Sequence, residues 1–487
     1  MPAVSDPLPF PALAPSRAAD RRGSVLLLWW LGVFALALAW SLSLAHVTKP
    51  IGPRDEHFAI GRRLYRTGSL AGENDPGVLR PPGYPAFVAA TLHLRDAFAA
   101  VRGLASEQAV RDEDAVLLAQ CLLLAATTTA IFAFGVAVLP PLEAACAGLA
   151  FALGPISLTL VGLHSYPLLH IFWLAVGMAH LAFAIKHGGG SPLNPLLAGV
   201  LWGVATLVRP VSLILPPFVF LLARLRRGGA WRSAAAFTLL FTLGMAATIV
   251  PYAVRNYRIT GRLILVNAQG WFALWGSTER EAQPHEDFLF WGTIWRDHGL
   301  ATYRRVTGDS KYDLATFSVH ILELEDAFKQ RALGNLKYRP WVYIHNVAAN
   351  LWKFSRDPAA RWPRDFAVQN QLPSVRSLSV IRAYSLGLLL LALPGVILGL
   401  FRRDATAWTI FLVFCALATA HAITFLTGRY TYVKLPLLSV AFAVTLGAIG
   451  DRSIVLPATR IRVRLASVLV VTALLGSASA TSLLLGR

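Results

Sequence analysis

Charge is scarce in this 487-residue chain. Only 15% of its residues are charged, where a soluble domain carries about 25%. Cysteine is scarcer still, with three residues, Cys121, Cys146 and Cys415, all inside apolar runs. That excludes a disulfide framework, and no cysteine spacing fits a metal cluster. The three thiols read as small core residues. No HExxH pair is present, nor any zinc finger or RNP motif. There is no internal repeat and no low-complexity tract.

Apolar residues are plentiful, at 55% of the chain, with a mean hydropathy of +0.55. Repeated long apolar runs predict a multispanning membrane protein. The formal net charge of +19 therefore does not point to nucleic acid. In a membrane protein, basic residues hold short loops in the cytoplasm and meet phosphates at the bilayer surface.

The first apolar run, Val25 to Ala45, follows Arg17, Arg21 and Arg22. It is longer than a signal-peptide core and reads as an uncleaved first span. Further runs are Ala115–Leu139, Leu142–Val161, Tyr166–Ile185, Leu196–Leu222, Ala234–Tyr252, Ile381–Leu400, Ala407–Leu426, Val433–Ile449 and Leu465–Leu485. The run from Leu196 to Leu222 is too long for one crossing and is broken by "VRPVS". It predicts two short helices meeting near Arg209 and Pro210. With the N-terminus inside, all the short basic loops fall in the cytoplasm, giving about eleven crossings.

Four regions follow. Residues 1–24 read as a cytoplasmic disordered tail, and 25–252 as an N-terminal transmembrane module containing a first outer loop, 46–114. Residues 253–378 read as a large extracytoplasmic loop, and 379–487 as C-terminal transmembrane helices. Within the large loop, the pattern around Leu322, Ala327, Leu333 and Leu336 is helical. Arg339 to Phe354, with Trp341, Tyr343, Trp352 and Lys353, suits an amphipathic helix at headgroup level.

The first outer loop opens with "GPRDEHFAIGRRLYRTG" and continues to "LRPPGYPAFVAA". Asp55 and Glu56 are adjacent acids just beyond a span. Pro81 and Pro82 force an extended entry, Gly83 permits a turn, and Tyr84 begins a short helix. Arg80 offers a planar fork of donors suited to phosphate. Arg209 is an isolated arginine in an apolar hairpin, which marks either function or a snorkelling interface residue. Arg255 and Asn256 lie at a span exit, and Arg429, Tyr430 and Lys434 at an outer helix end.

Four segments in order carry a resemblance. They are the acidic pair with "RPPGYPAF", then "GVLWGVATLVRPVSLILPP", "VPYAVRNYRITGRLILVNAQGWFALWGST" and "GRYTYVKLPLL". Together they resemble GT-C membrane glycosyltransferases, in the branch of protein O-mannosyltransferases and lipid A aminoarabinose transferases. The resemblance implies an all-α polytopic fold and transfer of a sugar from a polyprenyl-phosphate donor at the outer face. It implies an acceptor that is a glycan, lipid or protein, and a bacterial plasma membrane. It also implies that Asp55 is the catalytic base.

A base is required chemically, because the acceptor hydroxyl loses a proton as it attacks the anomeric carbon. Attack opposite the leaving phosphate inverts the configuration. Arginines would meet the phosphate charge, and Arg80, Tyr84, Arg209, Arg255, Asn256, Arg429, Tyr430 and Lys434 are the donor-site candidates. Glu56 is left with several roles: orienting Asp55, binding the acceptor, holding a divalent metal with His285, or sitting at a helix N-terminus. Where relatives carry an acid before the fourth span, this chain has Ser165 and Tyr166. A lipid flippase or a non-catalytic descendant of the enzyme are the alternative readings.

Overall fold

Basic residues and then an unbroken apolar run produce helix α1, Arg17–Ala45. Part of the first loop folds as α2 (Glu56–Thr67) and α3 (Gly83–Val101), packed on each other. Helix α4 (Asp112–Val136) opens with Asp112, Glu113 and Asp114, acids placed at its positive end. The run expected to be one span, Leu142–Val161, is instead two helices, α5 (Pro141–Leu153) and α6 (Ile156–Gly162). Between them Gly154 is extended (φ −63°, ψ 143°), the conformation imposed on a residue preceding proline. Helix α7 is Pro167–His187.

The next run breaks where expected. Helix α8 (Leu193–Val208) ends at Arg209, which is extended (φ −156°, ψ 126°). A 3-10 turn, Pro210–Ile214, leads into α9 (Leu215–Arg226). Helix α10 (Trp231–Thr260) passes Tyr252, the expected end of its span, by about two turns. It stops only at Gly261, whose positive φ of 68° forms the left-handed cap.

The large loop is mostly helical: α11 (Gly270–Thr278), α12 (Leu300–Thr307), α13 (Leu314–Val319), α14 (Ile321–Tyr338) and α15 (Pro340–Arg356). It has its own aromatic core of Phe272, Trp275, Trp295, Tyr303, Phe317 and Phe328, separate from the main cluster. Two later helices, α16 (Ala405–Ala422) and α17 (Leu435–Arg452), join the main bundle.

The computed structural model describes residues 17–45, 56–103, 110–154 except 138, 156–162, 166–187, 191–226, 230–281, 294–356 except 296–297, 384, 387–394, 396–397, 400, 405–424 and 432–452. The apolar run Leu465–Leu485 lies outside them. Among the described residues there is no β-strand. Four described helical segments are long and apolar enough to cross a membrane: Ser24–Ala45, Asp112–Val136, Pro167–Ile185 and Trp231–Thr260. Shorter apolar helices accompany them, so this is an all-α integral membrane protein.

Glycine sets the closest helix approach. A Cβ on Gly199 of α8 would lie 1.9 Å from the Phe241 carbonyl oxygen of α10, and one on Gly244 would lie 2.1 Å from that of Leu196. With little hydrophobic drive between helices in lipid, such backbone contact supplies the packing.

Candidate active site

The two loops meet above the break in the membrane helices. Gly77 has a positive φ of 63°, and its carbonyl accepts a 3.2 Å hydrogen bond from Arg255 Nη1. Ala268 N–H donates to Val78 O at 2.8 Å, and Asn267 Nδ2 to Leu79 O at 3.4 Å. Asn256, fully buried, donates to Ile264 O at 3.0 Å. Arg255, Asn267 and the Ala268 N–H therefore stitch the backbones of the two loops together, while Asn256 braces the entry of the second loop against its own Ile264.

That stitching presents Arg80. Its Nη1 donates to Gln269 Oε1 at 2.9 Å, and its Nη2 is ion-paired with Glu56 Oε1. Glu56 is the first residue of α2, so its charge also sits at a helix N-terminus. The carboxylate, guanidinium and amide form one row across both loops.

Gly83 is not used for a turn of unusual φ. It permits close packing instead. A Cβ there would stand 2.9 Å from the backbone N and Cα of Val208, the last residue of α8. The "RPPGYP" segment is thus seated on the helix end that carries Arg209. Gly83→Ala should force the two apart and cost about 1–3 kcal/mol of stability, read as a lower melting temperature. A wild-type melting curve would show that the seat tolerates a methyl group.

Arg209 is 9% exposed, and its guanidinium lies 5.6 Å from the centre of the Tyr166 ring. Tyr166 in turn stands edge-on to His57 at 5.0 Å. Two buried histidines, His170 and His421, lie within electrostatic reach of Arg209. His421 ring Nδ1 is 2.6 Å from Leu417 O. Tyr166 thus brings the face of an aromatic ring, not a carboxylate, against Arg209.

A cavity of about 380 Å³ opens beside Arg209. Pro210, Ile214, Asn267, Gln269, Gly270, Phe272, His421 and Thr424 contribute to its walls. Gln269 therefore faces Arg80 and the cavity at once. A larger cavity of about 880 Å³ lies between α1, α4 and α7. Its lining is almost wholly apolar, with His180 its single ionisable residue, so the smaller cavity is where polar chemistry converges.

Lys434, buried, donates to Phe354 O at 2.5 Å, and the Phe354 ring stacks on His421 at 5.2 Å. It stands behind the cavity wall. Tyr84 is buried in the bundle, where its hydroxyl accepts from Gln120 Nε2 at 3.0 Å. Asp55, His285, Arg429 and Tyr430 lie outside the described residues.

Among the described residues, no three His, Cys, Asp or Glu side chains converge. The carboxylate that is placed, Glu56, is engaged by a guanidinium, a poor neighbour for a cation. The described residues do not fit a divalent-metal site.

Gln269, His170, His421 and Glu325 were not singled out as site candidates from the sequence. The two histidines carried a usable signal, each being an ionisable residue within an apolar run. Gln269 and Glu325 carried none. Glu325 is buried and accepts from Trp271 N and Phe272 N, both at 2.9 Å, at the start of α11. This holds the Gln269–Gly270 edge of the cavity. Burial pushes the Glu325 carboxyl up to about 7, with the two N–H donors pulling the other way.

A raised carboxyl makes the folded state hold a proton that the unfolded state releases above about 4.5. Its contribution is therefore most favourable at or below that pH, declines as pH rises to about 7, and is flat beyond. Glu325→Gln should remove a stability loss on the order of 3 kcal/mol across this window. Parallel melting-temperature profiles of the two proteins against pH would contradict that.

No family model matches the sequence, and no curated protein matches it. Solved structures do match. The oligosaccharyltransferase of Archaeoglobus fulgidus in the apo form superposes with a TM-score of 0.53 and 13% identity, over 93% of this chain and 56% of that one. Archaeal AglB from the same organism, in complex with an inhibitory peptide and a dolichol-phosphate, superposes at 0.51 with 13% identity and the same coverage. ArnT from Cupriavidus metallidurans bound to undecaprenyl phosphate reaches 0.38 at 16% identity, over 87% of this chain and 79% of that one. The chain spans about half the length of the oligosaccharyltransferases it matches, 56% of them. The shared property is the fold, which this chain has in common with the membrane-spanning oligosaccharyltransferases it matches.

Proposed function

We propose that this protein is a GT-C glycosyltransferase. It transfers a sugar from a polyprenyl-phosphate donor to an acceptor hydroxyl at the extracytoplasmic face of a bacterial plasma membrane. The observation that carries this reading is the placement of Arg209. A buried guanidinium sits at a helix break, beside a cavity whose rim bears Gln269 and, next to it, the Arg80–Glu56 pair. A cationic pocket at a helix break, opening toward two stitched loops, suits a lipid phosphate whose sugar points out of the bilayer. The dolichol-phosphate on a protein of the same fold supports the donor class.

In this mechanism Asp55 takes the proton of the acceptor hydroxyl as its oxygen attacks the anomeric carbon. The phosphate leaves from the opposite side of the sugar, and the configuration inverts. Glu56 holds Arg80 rather than acting as base, because its Oε1 is engaged by the guanidinium. Arg209 and Arg80 meet the charge that develops on the leaving phosphate. Arg429 and Tyr430 are assigned to the same donor site.

The test uses the full chain in nanodiscs with polyprenyl-phosphate sugars of several kinds and a panel of hydroxyl acceptors, read by mass spectrometry. Sugar transfer with the opposite anomeric configuration in the product is expected. Movement of labelled lipid across a vesicle, with no transfer from any donor, would replace this reading with that of a flippase.

A further inference from the structure

Helix α15 packs inside out for a water-exposed helix. Its inward face carries Asn346, Asn350 and Phe354, all at most 4% exposed. Asn346 Nδ2 donates to Ser277 O at 2.9 Å and Arg280 O at 2.8 Å. Asn350 Nδ2 donates to Ala422 O at 3.3 Å and Thr424 O at 3.0 Å. The amides thus satisfy carbonyls at the C-terminal ends of α11 and α16, which helix geometry leaves without partners.

The outward face is the apolar one. Trp341, Ile344, Leu351 and Trp352 are 75%, 53%, 38% and 63% exposed, and Ala348 between them is exposed too. Positions 341, 344, 348, 351 and 352 follow helical spacing and form one stripe, with exposed His345 the one ionisable residue on it. In water this arrangement would leave two tryptophans bare while burying two asparagines. It is the arrangement a helix adopts when apolar solvent lies outside.

Two further observations choose the occupant. Beside the stripe, Tyr343 Oη donates at 3.1 Å to the carbonyl of Ile423, which follows α16 and also lines the cavity. Between Lys337 and Arg356 the chain has four basic residues, Lys337, Arg339, Lys353 and Arg356, and no acid. Basic residues flanking a tryptophan-bearing apolar stripe complement lipid phosphates.

We propose that the Trp341–Trp352 stripe lies in the membrane–water interface with lipid as its partner, and that α15 thereby holds the cavity wall. The two faces of one helix do the two jobs. Lipid seats the stripe, and Asn350 fixes the Ala422–Thr424 carbonyls, beside His421 and Thr424 of the cavity. This does not depend on sugar transfer.

The experiment uses the full chain with Cys121, Cys146 and Cys415 replaced by alanine, and Ala348→Cys carrying an environment-sensitive fluorophore. It is reconstituted in vesicles of phosphatidylcholine and phosphatidylglycerol. Quenching by lipids bearing a nitroxide near the headgroup, with protection from aqueous iodide, is expected. Iodide quenching as strong as at Lys311→Cys, an exposed loop position, would overturn the proposal. So would self-quenching that survives dilution into excess lipid, since a second copy would then cover the stripe. For the cavity wall, Trp341→Ser with Trp352→Ser should speed amide hydrogen exchange of residues 420–424 severalfold in vesicles. Unchanged exchange there would refute the coupling.

Discussion

Replacing Asp55 by asparagine should cut transfer by orders of magnitude while leaving donor binding intact. Asparagine keeps the size and shape of the side chain but cannot accept the proton of the attacking hydroxyl. General-base catalysis contributes about 10²–10⁴-fold, so kcat should fall by that factor with KM for the donor nearly unchanged. The split matters more than the size. A rise in KM at constant kcat would make Asp55 a binding residue, and retained transfer would remove it from the mechanism. Glu56→Gln is the companion variant. It breaks the ion pair with Arg80 and should raise donor KM, because the guanidinium loses the partner that aims it.

Arg209→Leu should separate function from stability in the opposite direction to a core mutation. The guanidinium is buried at a break in an apolar hairpin, a costly position for a charge. Leucine removes that cost while losing the contact with the Tyr166 ring. The melting temperature should therefore hold or rise. Donor affinity should fall by about 10–100-fold, the worth of a charge-assisted phosphate contact in a partly dried site. Arg209→Lys should recover part of the loss, since ammonium supplies the charge without the planar fork. Equal donor affinity in wild type and Arg209→Leu, measured by calorimetry in nanodiscs, would take Arg209 out of the donor site.

Tyr166 bears on the same charge. An aromatic face attracts the guanidinium far less than a carboxylate would.

The helical class and the positions of most spans were legible because they rest on local rules. Apolar length marks a span, and a proline marks a break, as at Pro210. The split at Gly154 was missed because the apolar run continues through it, and hydropathy is blind to backbone conformation. The overrun of α10 past Tyr252 was missed for the converse reason. Arg255, Asn256 and Arg258 look like a loop by composition, yet they continue the helix until Gly261 supplies its cap.

The site was legible only in part. Arg80, Glu56 and Arg209 were visible as charges in unusual places, and the tertiary structure brings Arg80 and Glu56 into contact. Arg255 and Asn256 looked like ligands because they are polar residues at a span exit. In the structure Arg255 Nη1 donates to the Gly77 carbonyl and Asn256 Nδ2 to that of Ile264, contacts no local pattern shows. Gln269 was invisible, since an amide after a span has no pattern of its own. Its importance comes from Arg80, 189 residues away in sequence.

The sequence alone determined that this chain lives in a membrane, that it is helical, and where its apolar hairpin breaks. These are properties of consecutive residues, set by the solvent and by each residue's own backbone. Only the tertiary structure decided that Gly83 seats on Val208, that Gln269 joins Arg80 to the cavity, and that α15 turns its asparagines inward. Those depend on which carbonyls and side chains arrive opposite one another once the spans pack, and no local pattern encodes that meeting.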